Sequence, residues 1–248
     1  MEHAAEGAHG PMEQFKIEPI IPIHLGGLDI SYTNSAFFMT LAVALTGLLF
    51  WGATRRRLMV PGRWQSVAEL IYEFVADMVK SNAGKQGMPY FPFVFSLFLF
   101  ILFGNFLGLM PYGFTFTSHI VVTAAIAVFI FVSVTIIGFA KHGLHFFSLF
   151  VPPGTPLAMC FVLVPLEMFS YMIRPVTLSL RLFANMLAGH VLLKVLAGFI
   201  IALGLYFGWV PLLAVFGITL LEMLVGFLQA YVFALLTCIY LNDALNLH

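Results

Sequence analysis

Charged residues are scarce in this sequence. Of 248 residues only 11 are lysine or arginine and 11 are aspartate or glutamate, and the formal net charge is zero. Soluble domains carry roughly a quarter charged residues, so a composition of 9% argues against a water-soluble fold. Because the net charge is zero, no excess of basic residues indicates binding to nucleic acid. The two cysteines, Cys160 and Cys238, stand apart in apolar runs and form neither a disulfide framework nor a metal-binding spacing.

Catalytic motifs are missing as well. The chain has no phosphate-binding G-x-x-x-x-G-K, no H-E-x-x-H and no nucleophile elbow. The stretch "HGLH" places His142 close to His145, but no further ligands accompany them, so we predict no metal site there. We therefore expect no enzymatic activity from the chain on its own and no bound cofactor.

Long runs of apolar residues occupy the stretches of the sequence without charged residues. A helix needs about 20 apolar residues to cross a bilayer, and hydrophobic residues make up 61% of the chain. The sequence predicts an all-α polytopic membrane protein with five membrane-crossing helices. The predicted crossings are residues 35–53, 91–110, 119–140, 157–206 and 212–241.

The residues before the first crossing begin polar and slightly acidic. They lack the basic start and adjoining apolar core of a secretory signal. We expect an exposed N-terminal tail over residues 1–34, followed by a single membrane domain over residues 35–248.

Residues 64–83, between the first two crossings, have an amphipathic helical pattern. Glu69, Glu73 and Asp77 line one face at intervals of four. The pattern predicts one further helix lying in the plane of the membrane surface, although a helix that binds a soluble partner has a similar pattern. The opposite, apolar face is Trp64, Val67, Ile71, Phe74, Val75 and Met78.

Lysine and arginine predict the orientation, because cytoplasmic loops carry an excess of both. On the other side of the membrane only Lys16 is basic. We expect the N-terminus outside and, after five crossings, the C-terminus inside. The clustered basic residues are Arg55, Arg56, Arg57, Arg63, Lys80, Lys85 and Lys141.

The last two apolar segments are longer than a bilayer requires. About 45 and about 30 helical residues would extend near 67 Å and 45 Å, against a hydrocarbon thickness of about 30 Å. The helices must therefore break, for which Pro165 and Pro175 are candidates, or tilt. We predict a long, strongly tilted hairpin over about 157–241.

Several charged residues lie inside these apolar segments. Glu167, Arg174 and Arg181 are spaced by seven and fall near one helical stripe, which Asn185 continues. Glu167 and Arg174 lie near the inner end, where water, each other or snorkelling can satisfy them. Arg181 lies deep in its run with no acid at i±3 or i±4, and such a residue costs at least about 2.5–3.5 kcal/mol. Its permanent charge must meet either Glu222 or a carboxylate of another chain.

His190 follows Arg181 by nine residues and therefore lies about half a turn out of phase. We expect it to face the last helix, where Glu222 and Gln229 share one face. His190 and Glu222 both titrate, so a proton relay is one interpretation and a buried structural histidine is the other. Small residues beside Arg181 allow close helix approach or a smooth gliding surface: Ala184, Ala188 and Gly189.

Three stretches resemble one known family. "LSLRLFANMLAGH", the later "LEMLVGFLQAYVFALLTCIYL" and the earlier "FGNFLGLMPY" are similar to the subunit a family of the F-type ATP synthase. The likeness covers nearly the whole chain after the tail. It implies a proton-translocating stator subunit of the F0 sector, which couples proton flow to rotation of a c-ring and to ATP synthesis. The implied partners are the c-ring, peripheral-stalk b-type subunits, protons and membrane lipid.

The resemblance also implies residue roles. Arg181 corresponds to the essential stator arginine that faces the c-ring carboxylates, and Asn185 and Gln229 to polar residues near it. His190 and Glu222 correspond to a pair lining the outer half-channel. Glu167 and Arg174 correspond to positions towards the inner half-channel. The His-then-Glu arrangement is similar to mitochondrial members and favours an alphaproteobacterial inner membrane, with a mitochondrial inner membrane as the alternative. Protons are the expected coupling ion, although sodium-using members also keep the arginine.

Two other classes of membrane protein compete with this interpretation. Secondary ion-coupled transporters usually show inverted repeats and broken half-helices in matching positions, and the sequence has no internal repeat. A purely structural scaffold would have no reason to keep charged residues such as Arg181 and Glu222 at depth.

Overall fold

The computed structural model describes residues 19–22, 24–25, 28–29, 31–55, 62–110, 113–143, 145–146 and 157–246. Two short 3-10 helices, Met88–Tyr90 and Phe116–Ser118, flank the third α-helix. The α-helices are α1 (Asn34–Arg55), α2 (Arg63–Gly87), α3 (Phe91–Gly108), α4 (Ile120–His142), α5 (Leu157–Phe207) and α6 (Trp209–Leu245).

Within the described residues, five helical stretches are long and apolar enough to cross a membrane. Four of them are α1, α4, α5 and α6, and the remaining one is the run Arg63–Gly108 that joins α2 to α3. The prediction of an all-helical polytopic membrane protein is confirmed at this level. Each predicted crossing agrees with its helix to within four residues, because an apolar run and a membrane helix share the same limits.

Four short strands precede α1, and the sequence analysis did not predict them. β1 (Pro19–Ile21) pairs antiparallel with β4 (Tyr32–Thr33), and β2 (His24–Leu25) pairs with β3 (Leu28–Asp29). Two nested strand pairs therefore lead the chain into α1. Residues 1–18 of the predicted tail, including Lys16, lie outside the described residues.

Helix α2 begins one residue before the predicted amphipathic helix and ends four residues after it. Gly84 interrupts its helical backbone with φ 64° and ψ −167°, a conformation that side chains with a Cβ rarely adopt. The predicted apolar face is divided in the structure. Val75 and Met78 pack against the protein, whereas Trp64 and Val67 are 73% and 48% exposed.

The surface of α2 thus has three sectors rather than two. Small and aliphatic residues face the protein, a second apolar sector around Trp64 and Leu70 is uncovered, and the acidic residues form the third. The sequence could not separate the first two sectors, because burial against protein and burial in lipid favour the same residue types.

Helices α5 and α6 form an antiparallel hairpin of 51 and 37 residues. The backbone of α5 stays helical through Pro165 and Pro175, and its one non-helical residue is Gly204, at φ 61° and ψ −161°. The length of this segment left a break at these prolines and a tilt as alternatives, and the backbone of α5 has no break at either proline. The break lies at the glycine near the end, where a positive φ carries no Cβ penalty.

Helix α6 is the centre of the bundle and contacts α2, α3, α4 and α5. Its buried residues recur at intervals of three and four, so one stripe of the helix faces the protein. The larger of the two hydrophobic clusters found among the described residues includes side chains from this stripe and from α2, α3, α4 and α5. The buried stripe consists of Pro211, Glu222, Gly226, Gln229, Ala230, Phe233, Ala234, Thr237, Cys238, Leu241, Ala244 and Leu245.

Candidate functional site

His190 of α5 and Glu222 of α6 meet inside the bundle. The Nδ1 atom of His190 lies 2.7 Å from Oε1 of Glu222. The residues are only 8% and 3% exposed. The contact between His190 and the last helix, expected from its half-turn offset from Arg181, is therefore present.

The other ring nitrogen of His190 faces the end of α3 and the segment that follows it. Nε2 lies 2.9 Å from the backbone oxygen of Gly108 and 2.8 Å from Oγ1 of Thr115. Nδ1 additionally lies 3.1 Å from the backbone oxygen of Met186, one turn earlier in α5. The imidazole is thus held from α3, α5 and α6 together.

Gly189 lets Glu222 approach α5 this closely. A β-carbon on Gly189 would lie 2.6 Å from Oε1 and 2.8 Å from Cδ of Glu222. Contacts below 3 Å do not occur between such atoms without displacement of one of them. The interpretation of Gly189 as a residue for close helix approach is consistent with this packing.

Asn105 and Thr117 form a second polar link that the sequence analysis did not identify as part of a site. Asn105 is fully buried, and its Nδ2 donates to the backbone oxygen of Gly226 at 3.0 Å. Its Oδ1 accepts a hydrogen bond from Thr117 Oγ1 at 2.9 Å. One feature of the sequence could have indicated this link. The stretch "FGNFLGL" is apolar apart from its asparagine, and a buried side-chain amide needs hydrogen-bond partners.

Two buried oxygen atoms on the same face of α6 have no hydrogen-bond partner among the described residues. They are Oε2 of Glu222 and Oε1 of Gln229, one above the other at a spacing of two turns. A buried acceptor without a partner is costly, typically by about 1–3 kcal/mol. This face of α6 is therefore polar and buried, and the described residues do not supply all the hydrogen bonds that its oxygen atoms can accept.

Arg181 lies apart from this pair. It is exposed on the surface of α5, and among the described residues it forms no ion pair or hydrogen bond. Glu222 contacts His190 instead, so an internal pair between Arg181 and Glu222 is not what the structure contains.

The surface around Arg181 is made of small and apolar side chains. Ala184 and Ala188, which follow Arg181 by about one and two turns, are exposed beside it, and Asn185 is half-buried. Leu180 and Leu192 on the same helix are 43% and 46% exposed. Arg181 thus stands next to small exposed side chains, which allow close approach of another helix.

Arg174 has a partner that the sequence analysis missed. Its Nη1 lies 3.4 Å from Oδ2 of Asp243 near the end of α6. Its guanidinium also lies over the rings of Tyr171 and Tyr240, at 5.6 Å and 5.2 Å from their centroids. Glu167, seven residues before Arg174, is half-buried. The acidic residue that pairs with Arg174 is therefore Asp243 and not Glu167.

Residues 36–242 match the sequence profile of one family, described as ATP synthase A chain. The match includes every predicted site residue from Glu167 to Gln229 and ends one residue before Asp243. The chain belongs to the ATP synthase A chain family. The predicted resemblance is therefore confirmed.

The similar curated proteins are named ATP synthase subunit a and come from alphaproteobacteria. The protein from Rhodospirillum rubrum is 57% identical over 240 residues, which is 97% of this chain and 100% of the relative. The protein from Nitrobacter winogradskyi is 55% identical over 243 residues, covering 95% and 98% of the two chains. That from Paramagnetospirillum magneticum is 51% identical over 244 residues, covering 96% and 99%.

Family membership and the helical fold agree with each other. An ATP synthase A chain takes part in ATP synthesis and ion transport, and the five long apolar helices are those of a multi-pass membrane protein. The predictions of function and membrane character made from the sequence are confirmed at that level.

Proposed function

We propose that the chain is the proton-translocating stator subunit of the F0 sector and that Arg181 faces the carboxylate of each c-ring subunit in turn. The observation that carries this proposal is the exposed, unpartnered guanidinium on α5. An intramembrane arginine is tolerated when its charge is compensated, and no acidic side chain among the described residues forms an ion pair with Arg181. A carboxylate passing along the face of small residues beside Ala184 and Ala188 would supply that compensation.

The charge of Arg181 performs two tasks in this mechanism. A ring carboxylate in lipid stays protonated because burial disfavours its charged form, whereas a nearby guanidinium favours ionisation and releases the proton. The same fixed charge repels protons between the two aqueous half-channels. Rotation of the ring is then the only route across, and it is driven by about 2.3 kcal/mol per charge per 100 mV.

The outer half-channel in this proposal runs along α6. His190 and Glu222 exchange protons across their 2.7 Å contact, and the unsatisfied oxygens of Glu222 and Gln229 need water or a proton-carrying partner. Asn185 lies at the edge of the Arg181 face and would contribute polarity there. An ordered polar path through the bundle supports proton entry at this site.

The inner half-channel is placed near Glu167 and Arg174. The half-buried Glu167 offers a titratable group, and the pair of Arg174 with Asp243 adds polar surface at the same end of the α5–α6 hairpin. The order Glu167, Arg174, Arg181 along one stripe of α5 would lead a proton from the inner surface towards the arginine.

The membrane placement follows from the same proposal. The N-terminus is periplasmic, the C-terminus is cytoplasmic, and residues 35–248 form one membrane domain in a bacterial inner membrane. The c-ring lies against α5 and α6, peripheral-stalk b-type subunits and lipid cover other faces, and α2 lies in the membrane surface. The three sectors of α2 suit that position, since protein, lipid and water each meet a matching face.

The length of the hairpin supports a strong tilt. Helices of 51 and 37 residues extend about 75 Å and 55 Å at 1.5 Å per residue. A density map of the membrane-embedded complex measures this tilt. Helices standing upright, within about 30° of the membrane normal, would contradict the proposed arrangement.

Arg181→Ala tests the proposed function most directly. In assembled complexes the variant should abolish ATP-driven proton pumping and ATP synthesis, and it should let protons leak passively between the half-channels. Arg181→Lys keeps a charge but loses the rigid five-donor fork, so it should reduce the leak without restoring much coupled pumping. Dye-quenching proton uptake and leak in vesicles with matched complex content measure both effects.

Arg55→Ala is the matched control, because it removes an exposed cation from the end of α1 rather than from the interior of α5. It should leave coupling and proton tightness unchanged. If Arg181→Ala synthesised ATP at the wild-type rate, or stayed as proton-tight as wild type, Arg181 would be only structural and the proposed mechanism would be wrong.

A further inference from the structure

The end of α3 contacts both helices that carry the relay pair, which is His190 of α5 and Glu222 of α6. Asn105 donates through Nδ2 to the backbone oxygen of Gly226 at 3.0 Å, one turn after Glu222 in α6. The backbone oxygen of Gly108, three residues after Asn105, lies 2.9 Å from Nε2 of His190. A β-carbon on Gly226 would lie 3.3 Å from Cβ of Asn105, so α3 and α6 approach each other closely. One turn of α3 thus lies against both α5 and α6.

The segment of residues 114–118, which follows α3, packs back against the same turn. All five of its residues are buried, although connections between helices ordinarily lie on the surface. Gly104 makes room for the ring of Phe116, since a β-carbon there would collide with Cζ and lie 3.0 Å and 3.1 Å from the two Cε atoms. Gly108 makes room for Thr115 in the same way, because a β-carbon there would lie 2.6 Å from its Cγ2. Two glycines one turn apart therefore hold this segment against α3.

Two threonines of this segment link it to α5 and to α6. Thr115 Oγ1 lies 2.8 Å from Nε2 of His190, and Thr117 Oγ1 donates to Oδ1 of Asn105 at 2.9 Å. Asn105 in turn bonds α6, and His190 contacts Glu222 on that same helix at 2.7 Å. The contacts therefore form a closed cycle, which runs from α6 through α3, the segment and α5 back to α6.

We propose that Thr117 and Asn105 are positioning residues for the relay pair, acting through the hydrogen bond that joins them. This bond holds α6 at a fixed distance from the segment that carries Thr115, so the ring and the carboxyl of the relay pair meet when the cycle is closed. Apolar packing gives little guidance here, because lipid tails are as apolar as the helix surfaces. Hydrogen bonds and small residues then determine how the membrane helices align.

The hydrogen bond of Thr117 could also do no more than hold the segment against α3. In that case its loss would lower stability and leave the relay pair in contact. If the bond positions the relay pair, its loss removes the polar link from the segment through Asn105 to α6. Fewer links then set the distance between the imidazole and the carboxyl group, and we expect this distance to increase. The geometry of the relay pair therefore separates the two roles.

This inference rests on the proposed function only in treating the relay pair as part of a proton path, and the contact itself can be measured separately. The assembled ATP synthase, with 15N-labelled histidine and 13C-labelled glutamate carboxyl groups, is reconstituted in lipid vesicles. Solid-state NMR measures the dipolar coupling between the two labels. Subtracting the spectrum of Glu222→Gln isolates the coupling of the relay pair. Dye quenching on the same vesicles records proton uptake per complex.

Thr117→Val removes the hydroxyl and keeps the side-chain shape. We expect the dipolar coupling of the relay pair and the proton uptake each to fall at least about twofold, since loss of one hydrogen bond changes an equilibrium about 2- to 10-fold. Thr117→Ser, which returns the hydroxyl, should restore both. Thr237→Val is the matched control. Thr237 is 1% exposed, and its hydroxyl bonds the backbone oxygen of Phe233 in its own helix at 2.7 Å.

A Thr117→Val complex with the wild-type dipolar coupling would overturn the inference, even if its unfolding temperature were lower. So would equal effects of Thr117→Val and Thr237→Val, or a lower coupling with unchanged proton uptake in a complex whose His190→Gln variant loses uptake. If Thr117→Val does not assemble, the same measurements are made on Thr117→Ala.

Failure of both Thr117 variants to assemble would show that the hydrogen bond serves assembly rather than positioning, and it would also overturn the inference. Failure of the proposed function looks different. In that case His190→Gln would take up protons at the wild-type rate, while the dipolar coupling in Thr117→Val would still fall.

Discussion

Gly189 and Glu222 face each other across the α5–α6 interface with no room for another heavy atom. A β-carbon on Gly189 would lie 2.6 Å from Oε1 of Glu222, the same oxygen that lies 2.7 Å from Nδ1 of His190. The absence of a side chain at Gly189 therefore controls the position of a carboxyl group on another helix.

Gly189→Ala should displace Glu222 from His190. The inserted methyl group meets a buried carboxyl rather than a flexible surface chain, so we expect a loss of about 1–3 kcal/mol in stability from overpacking. Proton uptake by the assembled complex should fall sharply, because the Nδ1–Oε1 contact opens. Thermal unfolding of the purified complex and dye-quenching proton uptake are the two measurements.

Gly198→Ala on the same helix is the control, since nothing lies within 4 Å of a β-carbon built there. Replacing an unconstrained helical glycine by alanine should stabilise α5 by roughly 0.5–1 kcal/mol and leave proton uptake unchanged. Equal behaviour of the two alanine variants would show that the close approach at Gly189 does not position Glu222.

Most of the helical architecture could be predicted from the sequence. The limits of α1, α3, α4, α5 and α6 follow from where apolar runs start and stop, since a bilayer demands that length and composition. The short strand pairs before α1 could not be predicted, because strands of two or three residues carry no periodic signal. The sequence left open whether the helix continues through Pro165 and Pro175, because neighbouring groups can satisfy the backbone at a proline in a membrane helix.

For the site, the sequence could predict which direction a side chain faces on its own helix, but not which residues of distant segments meet. Helical phase placed His190 towards the last helix and separated it from Arg181. It could not show that Thr115 returns from the α3–α4 connection to reach His190, nor that Asp243 reaches Arg174, because both contacts join segments about 70 residues or more apart. Periodicity gives the facing direction of a side chain but not the distant residue that it meets.

Asn105→Ala should destabilise the bundle. Removal of this amide deprives Thr117 Oγ1 of its buried acceptor and the Gly226 carbonyl of its extra donor. An unsatisfied buried polar group costs about 1–3 kcal/mol, so the unfolding temperature of the purified complex should drop. Thermal unfolding followed by intrinsic fluorescence measures it.

Ser96→Ala on the same helix provides the comparison. Ser96 is exposed and bonds only the backbone oxygen of Phe93 in its own turn. We expect a change within about 0.5 kcal/mol for such a surface substitution. If Asn105→Ala were equally harmless, the link between α3 and α6 would contribute nothing to stability.

Asp243→Asn and Arg174→Gln should be coupled in a double-mutant cycle. Their side chains are 35% and 28% exposed, and the guanidinium is flanked by two tyrosine rings. Partial burial should raise the interaction above the exposed-pair range of about 0.2–1 kcal/mol. Thermal unfolding of the four complexes gives the coupling energy.

The pair of Asp77 with Lys80 on α2 is the exposed reference. Those side chains are 79% and 60% exposed at a separation of 3.8 Å, and screening by solvent should leave little measurable coupling. A cycle in which both pairs gave the same coupling energy would contradict the idea that Tyr171 and Tyr240 shield the Arg174–Asp243 pair from solvent.

Helix α6 is synthesised after the four helices that it contacts, and this gives the chain an order of assembly. The end of α6 is held by earlier segments, since Lys141 and His142 both bond the Leu245 backbone oxygen, at 3.2 Å and 3.1 Å. Contacts that span more than 100 residues can form only after the later of the two segments has been synthesised. They form once α1–α5 have entered the membrane, so α6 closes the bundle. The His190–Glu222 contact, which needs α6 in place, comes into existence at that same final step.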